Sequence, residues 1–331
     1  GVPVGMIATS WGGTRIEPWI PPAGFESQRE LEAERSQIGM LQANYQTALK
    51  THREAIRSWL GAADAAAGSG QPIPEPPGFP ANPFNSNGAP TGLYNGMVHP
   101  LVPFGIRGAI WYQGESNLGA GMHYHDLMKG LIQGWRKVWG QGEFPFLFVQ
   151  LAPYKYGAAP TLLPEIWEAQ AATLSFPSTG MAVITDIANT ADIHPRNKQD
   201  VGKRLALWAL AKTYGKDDLV YSGPLYQSME IEGSRIRLKF QHAGGGLKSR
   251  DGKPLDWFSI AGEDKKFVPA MAAIDGDTIV VESPQVAQPA AVRFGWHQLA
   301  EPNLCNQAGL PASPFRTDRW SDAANAEPLA K

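Results

Sequence analysis

The feature that most constrains the fold is an alternation of short apolar runs and amphipathic segments in the middle of the chain. Each apolar run ends in a polar loop, as buried strands do, and the longer segments repeat apolar residues with a helical period. In chain order the predicted elements are strands at 108–112, 145–151 and 181–187 and helices at 124–139 and 198–214. Strands that alternate with helices pair in parallel, so the sequence predicts an α/β fold.

The preceding residues predict a strand, a long helix and an irregular insertion. The apolar run at 2–8 is typical of a buried strand, and Ser27 with Glu30 forms a capping box for a helix that continues to about residue 60. Residues 61–84 are rich in Ala, Gly and Pro, and proline excludes a regular helix interior. We interpret residues 22–90 as a helical and Pro-rich insertion.

Beyond residue 218 the pattern changes to short strands separated by turns, for example at 229–231, 235–240 and 278–282. This change predicts two domains. The first, at 1–218, is the α/β domain, and the second, at 219–331, is rich in β-strands.

Composition excludes several classes of protein. The 331 residues carry a formal net charge of -2, so an electrostatic nucleic-acid footprint is absent. No run of about 18 apolar residues occurs, so we predict no membrane partner. Cys305 is the only cysteine, and His123 and His125 lack further ligands at metal spacing. We therefore predict no cofactor and no metal.

Three polar loops follow strands and are the first candidates for chemistry, because parallel α/β sheets bind ligands beyond the carboxyl ends of their strands. In the loop at 186–197, His194 could act as general base for a hydroxyl nucleophile if a carboxylate orients its ring. Asp192 and Asp186 are both candidates for that carboxylate. A histidine that merely caps the following helix is the alternative.

The first loop, at 10–17, and the second loop, at 113–117, offer hydrogen-bond donors. Gly12 and Gly13 could direct backbone N–H groups at a developing oxyanion, although a tight turn that needs positive φ would also explain them. The side-chain amide of Gln113 could donate to the same oxyanion.

Glu115 opens a different possibility, because glycosidases use paired carboxylates. Its partner would have to be Glu17 or Asp192. The neighbouring Ser116 lacks the second glycine of the G-x-S-x-G nucleophile elbow, so we do not assign it as the nucleophile.

Four residues in or beside these loops are assigned to substrate binding. The rings of Trp11 and Trp111 suit the apolar faces of sugars, and Glu115 and Asn117 offer polar groups. Core packing is the alternative for both tryptophans.

Seven segments, taken in order, are similar to the sialate O-acetylesterase family of the SGNH-hydrolase superfamily. They extend over nearly the whole chain: SWGGTRIEPW (10–19), LYNGMVHPL (93–101), IRGAIWYQGESN (106–117), DIHPRNKQDVGKRLAL (192–207), GPLY (223–226), FSIAGEDKKFVPA (258–270) and GLPASPFRTD (309–318).

The resemblance implies a flavodoxin-like three-layer sheet with a C-terminal β-rich accessory domain. It also implies removal of O-acetyl groups from sugars through a serine acyl-enzyme, without metal or cofactor. Carried over by position, His194 is the base, and Gly12 or Gly13 with Gln113 forms the oxyanion hole. The superfamily's usual Asp-x-x-His spacing places Ala191 where the orienting aspartate is expected, so Asp192 and Asp186 both stay open.

The family carries its nucleophile in a Gly-Gln-Ser-Asn segment upstream of the first loop, and that segment does not occur in these 331 residues. We therefore expect Gly1 to be an internal start, with an N-terminal βα unit and its serine supplied by an N-terminal fragment of the same protein.

The expected substrate is an acetylated glycan, either sialic acid or a plant polysaccharide carrying acetylated galactose or xylose. The resemblance further implies a periplasmic or secreted protein. A non-catalytic carbohydrate-binding protein and a glycosidase that uses Glu115 are the alternatives.

Overall fold

The computed structural model describes residues 3–157 and 159–320, and the chain divides into two compact units. One unit comprises Gly1–Phe104 and Lys129–Gly140, and the other comprises Gly105–Met128 and Gln141–Lys331. Five α-helices lie in the described residues: α1 Pro22–Ser27, α2 Glu32–Gly68, α3 His123–Trp139, α4 Leu162–Ala172 and α5 Lys198–Lys212. None of these helices is long and apolar enough to cross a lipid bilayer.

The first unit is dominated by α2, whose 37 residues extend over about 55 Å. The predicted helix is confirmed, but its predicted capping box is wrong. Ser27 is the last residue of α1 and its hydroxyl donates to the carbonyl of Gly24 at 2.7 Å. A separate short helix forms there because Pro22 occupies its first position, where proline is favoured.

The Pro-rich segment after α2 runs back along the helix. The Trp59 indole N–H donates to the carbonyl of Pro74 at 2.7 Å, and the His52 and Phe79 rings meet edge to face at 5.0 Å. The predicted start of this irregular segment at residue 61 is wrong, since α2 continues to Gly68. The extra turns are rich in alanine, the best helix former.

Tryptophans join the end of α3 to the rest of the first unit. The Trp135 indole donates to the carbonyl of Trp19 at 3.0 Å, and the Trp139 indole donates to the carbonyl of Phe104 at 2.9 Å. Gly134 is required for this approach, because a Cβ there would lie 2.6 Å from Pro21 Cγ.

The predicted strand at 2–8 is wrong for residues 3–8, which form no regular structure; residue 2 lies outside the described residues. The side chains of Val4 and Met6 are 77% and 73% exposed. Strand formation requires a hydrogen-bonded neighbour, and no strand among residues 3–157 and 159–320 pairs with this segment.

The second unit contains a parallel sheet in the order β1-β2-β3. Its strands are β1 Ala109–Trp111, β2 Phe146–Val149 and β3 Thr179–Ala182. The predicted parallel α/β arrangement is confirmed for these strands. The third strand ends earlier than predicted because Ala182 is paired with Val149, the last residue of β2. One face of the sheet packs on α5, with Leu205 and Trp208 in the shared core.

The rest of the second unit is antiparallel, as the pattern beyond residue 218 predicts. Its strands are β4 Leu225–Glu232, β5 Arg235–Gln241, β6 Leu247–Ser249, β7 Phe258–Ala261, β8 Val268–Pro269, β9 Met271–Asp275, β10 Thr278–Glu282, β11 Ala291–Phe294, β12 Leu304–Asn306 and β13 Phe315–Arg316. Two four-stranded sheets, β4-β5-β10-β9 and β13-β11-β7-β8, contribute to one hydrophobic core.

Polar contacts tie these strands to the parallel part of the same unit. The guanidinium of Arg316 donates to Glu168 of α4 at 2.7 Å, and the buried Gln150 side chain donates to the Ser313 hydroxyl at 2.9 Å. The parallel strands and the antiparallel strands thus lie in the same unit, and the predicted division into domains at 1–218 and 219–331 stays a prediction.

Candidate functional site

The loop after β1 is shaped by a glycine. Gly114 has φ +155°, and a Cβ there would lie 2.9 Å from Leu151 Cδ1 beyond the end of β2. Any side chain would be strained and would displace Leu151. The Asn117 N–H donates to the Gly114 carbonyl at 2.8 Å, which closes the loop into a tight turn.

Gln113 is held in one orientation by two neighbours. Its side-chain amide donates to Asn117 Oδ1 at 2.8 Å, and the hydroxyl of the buried Tyr124 lies 2.9 Å from its Oε1. Asn117 is fully buried. An oxyanion donor must be held in a fixed orientation, and these contacts hold the Gln113 amide in that way. The oxyanion role of Gln113 and the substrate-binding role of Asn117 stay predictions.

Glu115 lies in a largely desolvated position beside positive groups. Burial raises the pKa of the Glu115 carboxyl above its ordinary value, while backbone N–H groups and the charges of His194 and Lys198 act to lower it. Glu115 in the loop after β1 therefore interacts electrostatically with His194 in the loop after β3. The carboxyl ends of neighbouring parallel strands meet at the same sheet edge, which explains the proximity.

Two tyrosines interact electrostatically with the Glu115 carboxylate. The pKa values of Tyr112 and Tyr156 are raised, first by burial and then by the negative charge of Glu115. The Lys198 ammonium lies 4.8 Å from the centre of the Tyr112 ring, and the rings of Tyr154 and Tyr156 meet edge to face at 5.0 Å. The surroundings of the largely buried Glu115 carboxyl are therefore rich in aromatic rings.

Sequence reasoning missed three of these residues, Tyr154, Tyr156 and Lys198. The two tyrosines follow β2, so the rule that directed attention to the other strand-end loops also covered this one. Lys198 is the first residue of α5, and the sequence shows no signal that its ammonium meets Tyr112.

His194 is exposed in the loop after β3. Its backbone N–H donates to Asp192 Oδ1 at 2.9 Å, a local turn in which the aspartate contacts the backbone rather than the ring. Within residues 3–157 and 159–320, no hydrogen bond or ion pair is formed by its imidazole. The base role of His194 stays a prediction.

Asp186 has another partner. Its two carboxylate oxygens accept from the two terminal nitrogens of Arg204 at 2.6 and 2.7 Å, and both side chains are nearly buried. Neither Asp186 nor Asp192 contacts the ring of His194, so the choice of orienting carboxylate stays open.

The glycines of the first loop belong to the first unit. Gly13 has φ +73°, and the Thr14 hydroxyl donates to the carbonyl of Trp11 at 2.8 Å. In the described part of the chain, the amides of Gly12 and Gly13 donate to no backbone carbonyl. The positive φ of Gly13 agrees with the alternative that these glycines only form a tight turn. Both backbone N–H groups could still donate to an oxyanion, so that role stays a prediction.

The remaining candidates are separated by their burial. Trp11 is 53% exposed, whereas Trp111 is 9% exposed and lies 6.4 Å from the Phe146 ring. Core packing thus accounts for Trp111, while the substrate role of both tryptophans is untested. His125 Nδ1 lies 3.1 Å from the Thr173 hydroxyl, and the described residues contain no group of three His, Cys, Asp or Glu suited to a metal.

Comparisons with known proteins bear on this site. A family model described as "Carbohydrate esterase, sialic acid-specific acetylesterase" matches residues 83–211. The sialate O-acetylesterase of Rattus norvegicus is 29% identical over 345 residues, which cover 95% of this chain and 60% of the rat protein. That of Homo sapiens is 27% identical over 341 residues, which cover 95% of this chain and 57% of the human protein.

A solved structure is similar as well. The crystal structure of a carbohydrate acetylesterase from Xanthomonas citri is 45% identical in sequence, with a TM-score of 0.68 over 71% of this chain and 55% of that chain. The chain spans about 60% of the length of the curated relatives it matches.

The matched family model and the similar solved structure are both described as carbohydrate esterases or acetylesterases. The chain is thus similar to the sialate O-acetylesterase family, whose name the curated relatives carry.

Proposed function

We propose that the protein removes O-acetyl groups from carbohydrates. The observation that carries the proposal is the match of residues 83–211 to the carbohydrate esterase model, since this range contains Gln113, Glu115 and His194 in the loops that follow β1 and β3. An exposed imidazole in the loop after β3 can reach a bound ester, and the fixed amide of Gln113 lies in the same loop as Glu115.

The reaction uses a serine nucleophile. His194 accepts the hydroxyl proton as the serine oxygen bonds to the acetyl carbon, and the carbonyl oxygen becomes an oxyanion. The bond to the sugar oxygen then breaks, and His194 returns the proton to that oxygen. A water molecule repeats the sequence on the acetyl-serine, so acetate leaves and the serine regains its proton.

Donors for the oxyanion are Gln113 and the backbone N–H of Gly12 or Gly13. Removing one such donor from an acyl-transfer site costs about 100-fold or more in rate. For Gly12 and Gly13, the assignment is supported by backbone N–H groups that donate to no backbone carbonyl in the described residues. For Gln113, it is supported by the hydrogen bond to Asn117 that fixes the side-chain amide.

The serine lies upstream of this chain in the natural polypeptide. Two facts support this proposal: the family's Gly-Gln-Ser-Asn segment is missing from the 331 residues, and the curated relatives are longer than the matched region. The upstream βα unit adds to β1-β2-β3 and completes a flavodoxin-like three-layer fold, with the antiparallel strands as an accessory domain.

The substrate is an O-acetylated glycan. The relatives named for sialic acid and the bacterial carbohydrate acetylesterase support this class and leave two sources, a sialic acid or an acetylated plant polysaccharide. We place the reaction in the periplasm or outside the cell, where such glycans occur.

The test is acetate release by the natural polypeptide that contains this chain, assayed with O-acetylated sialic acid and with acetylated xylo- and galacto-oligosaccharides. We expect acetate from at least one of them and no new reducing ends. Binding of these glycans without acetate release would instead establish the carbohydrate-binding alternative. New reducing ends that disappear in Glu115→Gln would establish the glycosidase alternative.

A further inference from the structure

Trp257 has an unfavourable backbone conformation on an exposed surface. Its φ is +59°, in the left-handed region that a bulky side chain rarely adopts, and its side chain is 39% exposed. Strain of this kind persists where the surrounding structure enforces it and is concentrated at functional sites. Burial of the indole does not explain the conformation, because much of the side chain faces solvent.

One face of the indole is covered by His297. The two rings are stacked at 5.8 Å between centres with an interplanar angle of 28°. The Leu299 N–H donates to His297 Nδ1 at 3.1 Å, which fixes this nitrogen as an acceptor, and burial lowers the pKa of the imidazole. The stacked partner is therefore a neutral ring in a fixed orientation.

Backbone hydrogen bonds hold the pair in place. The Gly295 N–H donates to the Trp257 carbonyl at 2.9 Å, and the His297 N–H donates to the Gly295 carbonyl at 2.8 Å. Because both rings are attached to this bonded turn, the exposed part of the indole is presented as a rigid flat surface.

The next residue, Gln298, connects this surface to the candidate site. Its Oε1 accepts from the Tyr156 N–H at 2.9 Å, its backbone carbonyl accepts from the Tyr154 N–H at 2.9 Å, and its side-chain amide donates to the Gly157 carbonyl at 2.8 Å. The Tyr156 phenol is in turn coupled to Glu115. Ring stacking and hydrogen bonds thus connect the indole to Tyr154 and Tyr156, and the Tyr156 phenol interacts electrostatically with Glu115.

We propose that Trp257 binds a pyranose ring of the glycan chain that bears the acetylated unit. A flat indole with one face covered and the rest exposed suits the apolar face of a pyranose. Because the His297 ring is neutral, the bound sugar does not need to carry a charge. The inference rests on the proposed function for the identity of the glycan. It adds that the substrate is an oligosaccharide or polysaccharide, bound at a second sugar position.

The binding test uses the purified chain and calorimetric titration with xylohexaose, β-1,4-galactohexaose and sialyllactose. We expect at least one of them to bind, and Trp257→Asn to weaken that binding by about tenfold or more, as loss of an aromatic platform does. Trp257→Phe should stay within about threefold of the wild type, since it keeps an aromatic face. Phe104→Ala, which removes another exposed aromatic ring, is the matched control and should change nothing.

The platform assignment is overturned if none of the three glycans binds or if Trp257→Asn binds as tightly as the wild type. Folding is monitored by thermal unfolding. Asparagine tolerates the left-handed region, so Trp257→Asn should melt at or above the wild-type temperature. A large fall in melting temperature would mean that Trp257 is a packing residue and would also overturn the proposal.

Acetate release separates this inference from the proposed function. With the natural polypeptide, we expect Trp257→Asn to keep its rate on an aryl acetate, which has no second sugar, and to lose about tenfold in kcat/KM on an acetylated hexasaccharide. Equal loss on both substrates would overturn the platform. Glycan binding that depends on Trp257, without acetate release from any substrate, would support the platform and refute the esterase.

Discussion

Among single residues, Glu115 makes the clearest electrostatic prediction. Burial raises its pKa, so between the ordinary value of 4.5 and the raised value the folded protein holds a proton that the unfolded chain releases. The stability contributed by this group is therefore fully present below pH 4.5 and is lost as the pH rises through the folded pKa.

Glu115→Gln should remove this dependence. We expect the free energy of unfolding of the variant, relative to the wild type, to increase as the pH rises above about 4.5, because the glutamine has no proton to lose. Urea unfolding at several values between pH 4 and pH 7 measures the difference. The exposed Glu143→Gln is the control. If the free energies of unfolding of the wild type and the variant differed by the same amount at every pH in this range, the raised pKa of Glu115 would be contradicted.

The two aspartates near His194 are expected to behave differently. Asp186→Asn leaves the nearly buried Arg204 guanidinium without its carboxylate, and breaking a buried pair in this way costs about 3 kcal/mol of stability. Asp192→Asn should change stability by less than about 0.5 kcal/mol, because that loop is exposed. Chemical denaturation of both variants measures the contrast, and equal losses would contradict it.

Acetate release then identifies the orienting carboxylate. Since Arg204 already engages Asp186, we expect Asp192→Asn to lower acetate release by the natural polypeptide about tenfold or more while leaving the protein folded. Full activity in Asp192→Asn would exclude it as the residue that orients His194.

Among the structural elements, the contact between β3 and α5 requires a residue without a side chain at Gly180. A Cβ at Gly180 would lie 2.7 Å from the Trp208 ring and 2.9 Å from Leu147 Cδ2. Gly180→Ala should therefore destabilise the protein by about 1–3 kcal/mol through overpacking.

Gly202 of α5 supplies the matched control. Nothing lies within 4 Å of the position its Cβ would occupy, so Gly202→Ala should stabilise the helix by up to about 1 kcal/mol. Thermal unfolding compares the two variants. A loss in Gly202→Ala or no change in Gly180→Ala would show that the packing of α5 on the sheet is different.

The sequence was sufficient for elements whose pattern is local. The apolar runs that become β1, β2 and β10 and the amphipathic residues of α3 are recognisable from their periodicity alone. The segment at 3–8 has an equally apolar run, yet it forms no strand, because pairing depends on a distant neighbour. The early end of β3 has the same cause.

For the candidate site, only the positions of residues in strand-end loops could be predicted, and their roles stay predictions. Polar loops at strand ends directed attention to Gln113, Glu115 and His194, which the structure places in one unit. The pairing of Asp186 with Arg204 and the conformation of Trp257 were not predictable, because both depend on tertiary contacts. No local pattern in the sequence encodes them.

For the whole molecule, the central claim is that the natural polypeptide is a carbohydrate O-acetylesterase that uses His194 as its base. The most direct measurement is the rate of acetate release from an acetylated oligosaccharide by the wild type, by His194→Ala and by the control His52→Ala, which alters a histidine of α2. We expect His194→Ala to lose about 100-fold or more and His52→Ala to match the wild type. Undiminished acetate release by His194→Ala would contradict the account.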